Sequence, residues 1–548
     1  MRLHSLLGLL LYTLASAPPA RATRSHGKNA LWSGWGGNLY NNRWVTGPDA
    51  LSTFDIPSLK PHCQKTYGVG VSAAPALHNG IAYYPTWDGL LVALDYDRCI
   101  TRWSINVTTA ISAFTNASQP SLISRTSPQI GGDIIYFGTL TKALAVVADL
   151  RTGKILALTP VNTHKYAVIT MSPTLYNNLL IIGASSTESG APDCCSFIGN
   201  VVALRFNHSS QKLDSIWDVP MLPKSNSTSP NDRWSGAAVW GSQPSIDRTR
   251  SQVFIGTGNL YQTPTSYSAC VNSTQNFNTS TTDPCLPKDV WQDSVLAIDI
   301  PTGRVNWARQ LNRLDSWNAA CGYLDQSQQN TELCPGTPGP DADFGMAPTY
   351  VPASKGMTPN GTDTIVAAQK NGNMYALSAS NGTSLWTLIT GPGSEAGGVS
   401  WGIAVDYLHV YFTQINPEHQ RWTIQPGNRT VVNTWYGAVS LETGKIIWET
   451  PVPGNSSSIS PPTVAGNVVL VGMTAGQASS FNATGGGLIA LESQSGKVLR
   501  QIDLDNTVSG GVAVGDGYVL FGSGYRSVGS TGGTAATGRN GSFWVFTT

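Results

Sequence analysis

One pattern recurs along the whole chain and constrains its fold more than any other feature. An apolar strand ending in a motif like "ALD" is followed by a turn, often Thr-Gly, and a second strand that often ends in Trp. The clearest copies span residues 91–103, 144–156, 200–217, 294–307, 374–386, 437–448 and 487–499. A pair of short strands precedes each copy, and an eighth pair at 510–522 is completed by "GSFWVF". Four-stranded repeats of roughly 40–80 residues are typical of β-propellers. The sequence therefore predicts an all-β, eight-bladed propeller of four-stranded blades.

The repeat also predicts roles for residues outside the strand cores. The tryptophans after the Thr-Gly turn are expected to pack between adjacent blades; they are Trp103, Trp217, Trp307, Trp386 and Trp448. The segment 32–44, rich in Trp and Gly, is expected to supply the outer strand that closes the ring. Residues 31–548 then form one domain. Long insertions at 223–235, 261–292 and 312–345 are expected on a face of the propeller, where loops carry function.

The first 30 residues and the sequons predict a secreted or lumenal protein. Residues 1–22 carry Arg2, an apolar run at 6–17 and then small residues, as in a cleaved signal peptide; 23–30 are predicted to be flexible. Twelve Asn-x-Ser/Thr sequons predict a glycosylated eukaryotic protein: Asn106, Asn116, Asn207, Asn226, Asn272, Asn278, Asn360, Asn381, Asn428, Asn455, Asn482 and Asn540. The net charge of +1, with 12% charged residues, favours neither nucleic acid nor a membrane surface as partner. Small-molecule substrates are the partners expected.

Eight cysteines in a secreted chain predict disulfides. Local pairing predicts Cys63–Cys99, Cys270–Cys285 and Cys321–Cys334, which leaves the neighbours Cys194 and Cys195. We expect these two to bond to each other, as a rigid turn or as a stiff wall beside a ligand. A redox-active thiol pair is the third interpretation. No CxxC or HxxxH pattern supports zinc, and no GxSxG or HExxH motif supports a hydrolase.

Several motifs resemble the quinoprotein alcohol dehydrogenases, propellers that bind pyrroloquinoline quinone (PQQ), and above all their polyvinyl-alcohol-dehydrogenase-like branch. The motifs are "SSTESGAPDCCSFIGNVVAL" (185–204), "SGAAVWGSQPSIDRTRSQVFIGTGN" (235–259), "LDSWNAACG" (314–322), "GPDADFG" (339–345), "GVSWGIA" (398–404) and "GGVAVGDGYVLFGSGY" (510–525). The resemblance covers nearly all of the chain after the signal peptide.

The resemblance implies an axial pocket and names its residues. Trp240 matches the tryptophan floor, and Trp401 a further wall. Glu188 and Asn259 match calcium ligands, Asp315 the catalytic base and a third ligand, and Lys370 a cation near the quinone oxygens. Tyr525, Cys194 and Cys195 are further candidates for the ligand wall. Asp341 and Asp343 are predicted to be turn residues that bind backbone amides. An arginine of the redox members is replaced here by Asn79, in "HNGIAYY".

The chain also resembles a second group on this fold, the secreted, heavily glycosylated fungal hetero-Diels–Alderases of tropolonic sesquiterpenoid biosynthesis. This resemblance implies dehydration of a hydroxymethyl tropolone or phenol to a quinone methide, followed by cycloaddition to a humulene-type sesquiterpene without a cofactor. Asp315 and Glu188 are then the candidate acid and base, and Lys370 stabilises the ring oxyanion. The alternatives are a PQQ- and calcium-dependent alcohol dehydrogenase and a non-catalytic binding propeller.

Overall fold

The computed structural model describes residues 31–225, 232–273, 283–322, 329–330, 332–336, 338–474, 485–504, 506–525 and 540–548. The predicted signal peptide and flexible segment lie outside the described residues. Eight four-stranded antiparallel sheets follow one another along the chain, which confirms the eight-bladed propeller. None of the described helices has the length and apolar character needed to cross a membrane.

In each blade the first strand lies nearest the axis and the fourth lies at the rim. Blade 1 comprises Ala76–His78, Ile81–Pro85, Leu90–Asp95 and Ile100–Asn106. Blade 2 comprises Gln129–Gly131, Ile134–Gly138, Leu144–Asp149 and Ile155–Pro160. Blade 3 comprises Thr174–Tyr176, Leu179–Ser186, Asn200–Asn207 and Lys212–Pro220, with Ala167–Val168 added beside Leu179–Ser186. Blade 4 comprises Ser245–Asp247, Gln252–Gly256, Ser294–Asp299 and Val305–Gln310.

The second half of the ring repeats this arrangement. Blade 5 comprises Thr349–Val351, Thr364–Ala368, Asn373–Ser378 and Ser384–Ile389. Blade 6 comprises Ala404–Val405, His409–Gln414, Trp435–Ser440 and Ile446–Pro451. Blade 7 comprises Thr463–Ala465, Val468–Thr474, Gly486–Glu492 and Val498–Leu504, with Trp44–Val45 parallel to its first strand. Blade 8 comprises Ala513–Gly515, Tyr518–Gly522, Gly541–Thr547 and Lys60–Tyr67. Two short two-stranded antiparallel sheets, Ser235–Gly236 with Leu260–Gln262 and Trp422–Ile424 with Arg429–Val431, and two α-helices, Val107–Thr115 and Thr265–Ser273, lie outside the blades, together with short 3-10 turns.

The tryptophans of the repeat join neighbouring blades, as predicted. The indole N–H of Trp103 donates to Leu150 O at 3.1 Å in blade 2, and that of Trp448 donates to Ser493 O at 2.9 Å in blade 7. Trp217, Trp307 and Trp386 bind the next blade in the same way. Each ring also lies against the glycine of the next blade's turn, where a Cβ atom would come within about 3 Å of the indole. The glycine is required both for its positive φ and for this close approach.

The strand that closes the ring differs from the prediction. Lys60–Tyr67, and not 32–44, pairs with the last strand, Gly541–Thr547. From Cys63 onward its side chains alternate between buried or half-buried and exposed, as suits an outer strand, and Cys63 forms a disulfide with Cys99 in blade 1. The segment 32–44 lacks this alternation and turns at two glycines with positive φ, Gly34 and Gly37.

Residues 32–45, termed the axial segment, instead cross the central channel. Their backbone or side chains hydrogen-bond to the innermost parts of seven of the eight blades, at Leu77, Gln129, Gln243, Tyr350, Val405, Val464 and Val512. The buried guanidinium of Arg43 joins blades 7 and 8 to this segment. The axial segment therefore fills the channel, and a small void lined by Trp35, Trp240 and Trp401 separates it from a larger cavity on the axis.

Candidate functional site

A cavity of about 300 Å³ opens on the axis, above the axial segment. It is lined by residues that precede the first strands of blades or follow their second strands, so these blade edges converge on it. Its aromatic walls are Tyr261, Trp317, Tyr525, Trp240 and Trp401, and its charged residues are Arg125, Asp341, Asp343, Lys370 and Glu395. Aromatic walls around a few polar groups are typical of small-molecule sites.

The two predicted tryptophans form one corner of this cavity. The rings of Trp240 and Trp401 meet edge to face, with centroids 5.9 Å apart and planes at 81°. The Trp240 N–H donates to Asp343 Oδ2 at 3.1 Å. Trp35 in the axial segment donates to Trp401 O at 3.2 Å and supports the corner from below. Tyr525 also lines the cavity, while its neighbour Arg526 lies outside the described residues.

Lys370 lies at the polar end of the cavity between two carboxylates. Its Nζ atom is 2.9 Å from Asp341 Oδ2 and 2.9 Å from Asp343 Oδ2, and its side chain is only 12% exposed. Burial opposes the charged form of Lys370, but the two carboxylates outweigh it and raise the lysine pKa. Burial raises the pKa of Asp341 well above its usual value, and Lys370 only partly offsets this. A carboxyl group whose pKa is raised by burial thus lies beside a lysine whose pKa is raised by its carboxylate partners.

The aspartates were predicted to be turn residues, and this accounts for only part of their contacts. Asp343 does accept a backbone N–H, from Asn259, at 2.6 Å. Its other oxygen faces Lys370 and Trp240, and Asp341 faces Lys370. The sequence did not indicate the contact of these aspartates with Lys370, because "DADFG" is typical of a turn and Lys370 lies almost 30 residues further along the chain.

Arg125 provides the second cation of the cavity, and sequence reasoning missed it. Its guanidinium carbon lies 5.2 Å from the ring centroid of Trp401, 5.9 Å from Tyr525 and 6.0 Å from Trp87. No carboxylate of the described residues lies within ion-pair distance of it. Asn79, expected to replace an arginine here, lies in an exposed hairpin turn and hydrogen-bonds to His78. The sequence signal is the arginine of "SRTSPQIGG", just before the first strand of blade 2.

Glu188 does not line the cavity, contrary to the expectation for a catalytic or calcium-binding residue. Its carboxylate is fully buried and accepts the N–H groups of Ser196 at 2.8 Å and Phe197 at 2.7 Å. The Ser196 hydroxyl donates to it at 3.0 Å, and His164 Nε2 lies 3.4 Å away. The neighbouring Ser189 takes the place at the cavity wall. Glu188 therefore anchors the turn that follows the cysteine pair.

Asp315 also lies behind the cavity wall. One of its oxygens accepts Ala342 N–H at 2.6 Å and the other accepts Asp341 N–H at 3.3 Å. Gly339 packs so closely that a Cβ atom there would lie 2.1 Å from Asp315 Oδ1. Burial raises the pKa of Asp315, and burial raises the pKa of the adjacent Asp293 well above its usual value. Asp315 thus positions the loop that carries Asp341, and does not itself face the cavity.

Asn259 lines the cavity as predicted, but its side-chain N–H groups donate to Trp317 O at 2.8 Å and Leu260 O at 3.1 Å. Of Glu188, Asn259 and Asp315, expected to line one pocket, only Asn259 reaches it. Calcium requires six to eight converging oxygen ligands. In the part of the chain that the structure describes, no three acidic, histidine or cysteine side chains converge on one point. The three predicted ligands therefore do not fit a calcium ion in this arrangement.

The charges of the cavity also do not fit PQQ, an aromatic polycarboxylate. Arg125, Lys370 and the tryptophan walls suit a flat anion, but Lys370 is already paired with two carboxylates, Asp341 and Asp343. A cavity without excess positive charge provides little compensation for burying several carboxylates.

All four predicted disulfides are present: Cys63–Cys99, Cys194–Cys195, Cys270–Cys285 and Cys321–Cys334. The neighbours Cys194 and Cys195 do not line the cavity, although they were predicted to. Cys195 packs behind Tyr261, and the Asn318 side chain, which lies 3.9 Å from its sulfur, also donates to Tyr261 O at 3.2 Å. The disulfide therefore backs the cavity wall and does not form it.

The sequons within the described residues are distributed over several blades and the loops between them. Asn226, Asn278 and Asn482 lie outside the described residues, and the other nine are described. Glycosylation at all twelve remains a prediction.

Two protein-family profiles match this chain. "Glucose/ethanol/alcohol dehydrogenase, beta-propeller domain" matches residues 53–323, and "Outer membrane protein assembly factor BamB" matches 370–488. The chain carries a PQQ-type β-propeller domain. Polyvinylalcohol dehydrogenase of a Pseudomonas species is 27% identical to this PQQ-type propeller over 438 residues, and that of Sphingopyxis sp. 28% over 438. These alignments cover 77% and 76% of the chain but only 59% and 58% of the relatives' length.

Solved structures show the same fold for the PQQ-type propeller. Quinohemoprotein alcohol dehydrogenase ADHIIG from Pseudomonas putida HK5 superposes with a TM-score of 0.66 at 16% identity, covering 95% of this chain and 81% of that one. A europium-containing methanol dehydrogenase superposes with a TM-score of 0.62 at 16% identity, covering 95% and 98%. The PQQ-type propeller is thus related in sequence to alcohol dehydrogenases, and its four disulfides are typical of an oxidising compartment.

Proposed function

We propose that this propeller is a secreted enzyme that works without a cofactor, and that its axial cavity dehydrates a hydroxymethyl tropolone or phenol to a quinone methide. The cavity then holds the quinone methide against an alkene of a humulene-type sesquiterpene for hetero-Diels–Alder addition. The observation that carries the proposal is the Lys370–Asp341–Asp343 cluster, enclosed by Trp240 and Trp401. The substrate classes come from the family resemblance.

The dehydration requires one acid and one base. Asp341, whose pKa is raised, gives its proton to the leaving hydroxyl group, which departs as water. Asp343, which also accepts hydrogen bonds from Lys370 and Asn259, takes the proton of the ring hydroxyl. Lys370 stabilises the negative charge that develops on the ring oxygen. Asp341 and Asp343 thus take the roles expected of Asp315 and Glu188, which are buried outside the cavity.

The cycloaddition forms a carbon–carbon and a carbon–oxygen bond and moves no proton. It therefore depends on holding two apolar partners face to face, an effect worth several kcal/mol. The edge-to-face tryptophans provide two perpendicular apolar walls for this purpose. Exclusion of water by these walls protects the quinone methide from rehydration.

Asp341→Asn, in protein secreted from a eukaryotic host, tests the proposal. Turnover of a hydroxymethyl tropolone with a humulene alcohol, followed by mass spectrometry, should fall by about 10²–10⁴-fold. Wild-type turnover should also fall as the pH rises through the pKa of Asp341, because the acid must be protonated. Glu188→Gln is the comparison outside the cavity, and its effect should appear chiefly in stability. Full turnover in Asp341→Asn would refute the assigned chemistry.

A second candidate is a PQQ-dependent alcohol dehydrogenase, favoured by the sequence relatives, although the charges of the cavity do not fit PQQ. Denatured protein should then release PQQ in stoichiometric amount, or the protein should oxidise alcohols with a dye once PQQ and calcium are added. Either result would replace the first proposal.

A further inference from the structure

A groove of about 360 Å³ lies at the opposite end of the channel from the axial cavity. The axial cavity is lined by residues that precede first strands or follow second strands, whereas this groove is bordered by turns that join first to second strands. Its walls come from the axial segment, from residues 350–358 of blade 5 and from residues 405–407 of blade 6. Neither the proposed reaction nor the family resemblance uses it.

The groove has an aromatic corner. The rings of Trp44 and Tyr407 meet edge to face, with centroids 4.3 Å apart and planes at 82°. Tyr407 is 59% exposed, so one side of the corner is open to a ligand. Met357 and Leu441 extend the apolar surface. Flat aromatic faces of this kind bind rings that present C–H groups.

The polar groups of the groove select a neutral ligand. Its lining contains no lysine or arginine. Its one carboxylate, Asp406, is already engaged by Leu408 N–H, His409 N–H and the Tyr411 hydroxyl. Despite burial, the His409 side chain and these hydrogen bonds lower the pKa of Asp406, which favours its anionic form. An anionic ligand would therefore be repelled, and a neutral polyhydroxylated ring would be accepted.

A predicted N-glycosylation site lies at the edge of the groove, and an N-glycan begins with rings of this kind. Thr358 lines it, and the turn Pro359–Gly361 follows directly and carries Asn360 of the sequon Asn360-Gly361-Thr362. Asn360 is exposed, with a φ of 52°, so a glycan attached there starts two residues from the wall. We propose that the groove binds the first N-acetylhexosamine rings of the N-glycan on Asn360, stacked on Tyr407 and Trp44.

Release of the glycan from the folded protein tests this proposal. Protein secreted from a eukaryotic host is treated with a peptide:N-glycosidase without denaturation, and each site is followed by peptide mass spectrometry. Asn381 is the matched control, because it lies on the same blade in an exposed turn away from the groove. The glycan on Asn360 should be released several-fold more slowly than that on Asn381.

Tyr407→Ala removes the exposed half of the aromatic corner and should not affect folding. It should bring release at Asn360 to the rate at Asn381 and leave Asn381 unchanged. Asn360→Asp should increase hydrogen exchange at residues 405–409, whereas Asn381→Asp should not. An unmodified Asn360, or release that is as fast as at Asn381 and insensitive to Tyr407→Ala, would overturn the proposal. None of these measurements depends on the proposed catalytic activity.

Discussion

Two buried cations lie near the propeller axis, and their surroundings are opposite. Arg43 in the axial segment donates to the carbonyls of Trp35, Pro462 and Val512 and to the Thr463 hydroxyl, with no carboxylate among these partners. Its guanidinium also lies 5.6 Å from the centroids of Trp32 and Trp35. Lys370 in the cavity is held by two carboxylates.

The difference appears in the pKa values. Burial lowers the pKa of Arg43 to about 9, which still leaves it charged at neutral pH. The carboxylates raise the pKa of Lys370 despite its burial. Neutral carbonyls can hold a cation without creating an acid or a base, whereas paired carboxylates add groups that exchange protons. The first arrangement suits a structural role and the second suits chemistry.

Replacement of Arg43 should have the largest effect on stability. Arg43→Met leaves three carbonyls and a hydroxyl without their donor, so the free energy of unfolding should fall by about 3–5 kcal/mol. Arg43→Lys keeps the positive charge but not the several N–H donors of the guanidinium, and its free energy of unfolding should fall less than that of Arg43→Met. Urea denaturation measures both. If Arg43→Met loses less than about 1 kcal/mol, the axial cation is not structural.

Replacement of Lys370 should have a smaller effect that depends on pH. Lys370→Met leaves Asp341 and Asp343 without a cation, and it raises the folded-state pKa of Asp341, which burial already holds above its usual value, still further. Stability should therefore be nearly retained at low pH and be lost as the pH rises, by about 2–3 kcal/mol at neutral pH. The double variant Lys370→Met/Asp343→Asn should recover part of the loss. A loss that is equal at acidic and neutral pH would contradict the charge-based explanation.

Glu449 extends the comparison to an anion and should show the smallest effect. This buried carboxylate accepts Gln425 N–H at 2.7 Å and the Trp435 N–H at 3.0 Å, and burial raises its pKa to about 6 from 4.5. Because the folded-state pKa exceeds the unfolded one, its contribution to stability is present below pH 4.5 and is lost as the pH rises through 6. The loss should be about 1–2 kcal/mol. Glu449→Gln should remove this part of the pH dependence in chemical denaturation, and an unchanged profile would rule out Glu449 as its source.

The blades could be predicted from the sequence because their signals are local. The strand spacing recurs in each unit, a turn glycine and a tryptophan after the turn recur in most units, and the structure confirms them. The closing strand and the axial segment were missed because their partners lie hundreds of residues away. Nothing within residues 32–45 indicates that Arg43 will meet Val512.

The site was predicted only in part, for a related reason. Trp240, Trp401, Asn259, Lys370 and Tyr525 reach the cavity because strand position fixes their location. Family motifs also selected Glu188 and Asp315, but the direction of a carboxylate depends on which backbone N–H groups compete for it. The backbone N–H groups of Ser196 and Phe197 donate to the Glu188 carboxylate, and the N–H of Ala342 donates to the Asp315 carboxylate. Such competition cannot be read from spacing.

The axial segment has a consequence for the order in which the chain folds. Its partners are distributed from Leu77 to Val512, and Lys60–Tyr67 pairs with the last strand to be synthesised. Its contacts are therefore among the most distant in sequence, and such contacts form late. Arg43 and the closing strand, near the start of the domain, therefore complete their contacts only when nearly all of the chain has been synthesised. Loss of the three C-terminal strands of blade 8 would thus leave the closing strand unpaired and remove Val512, one of the partners of Arg43, at the opposite end of the sequence.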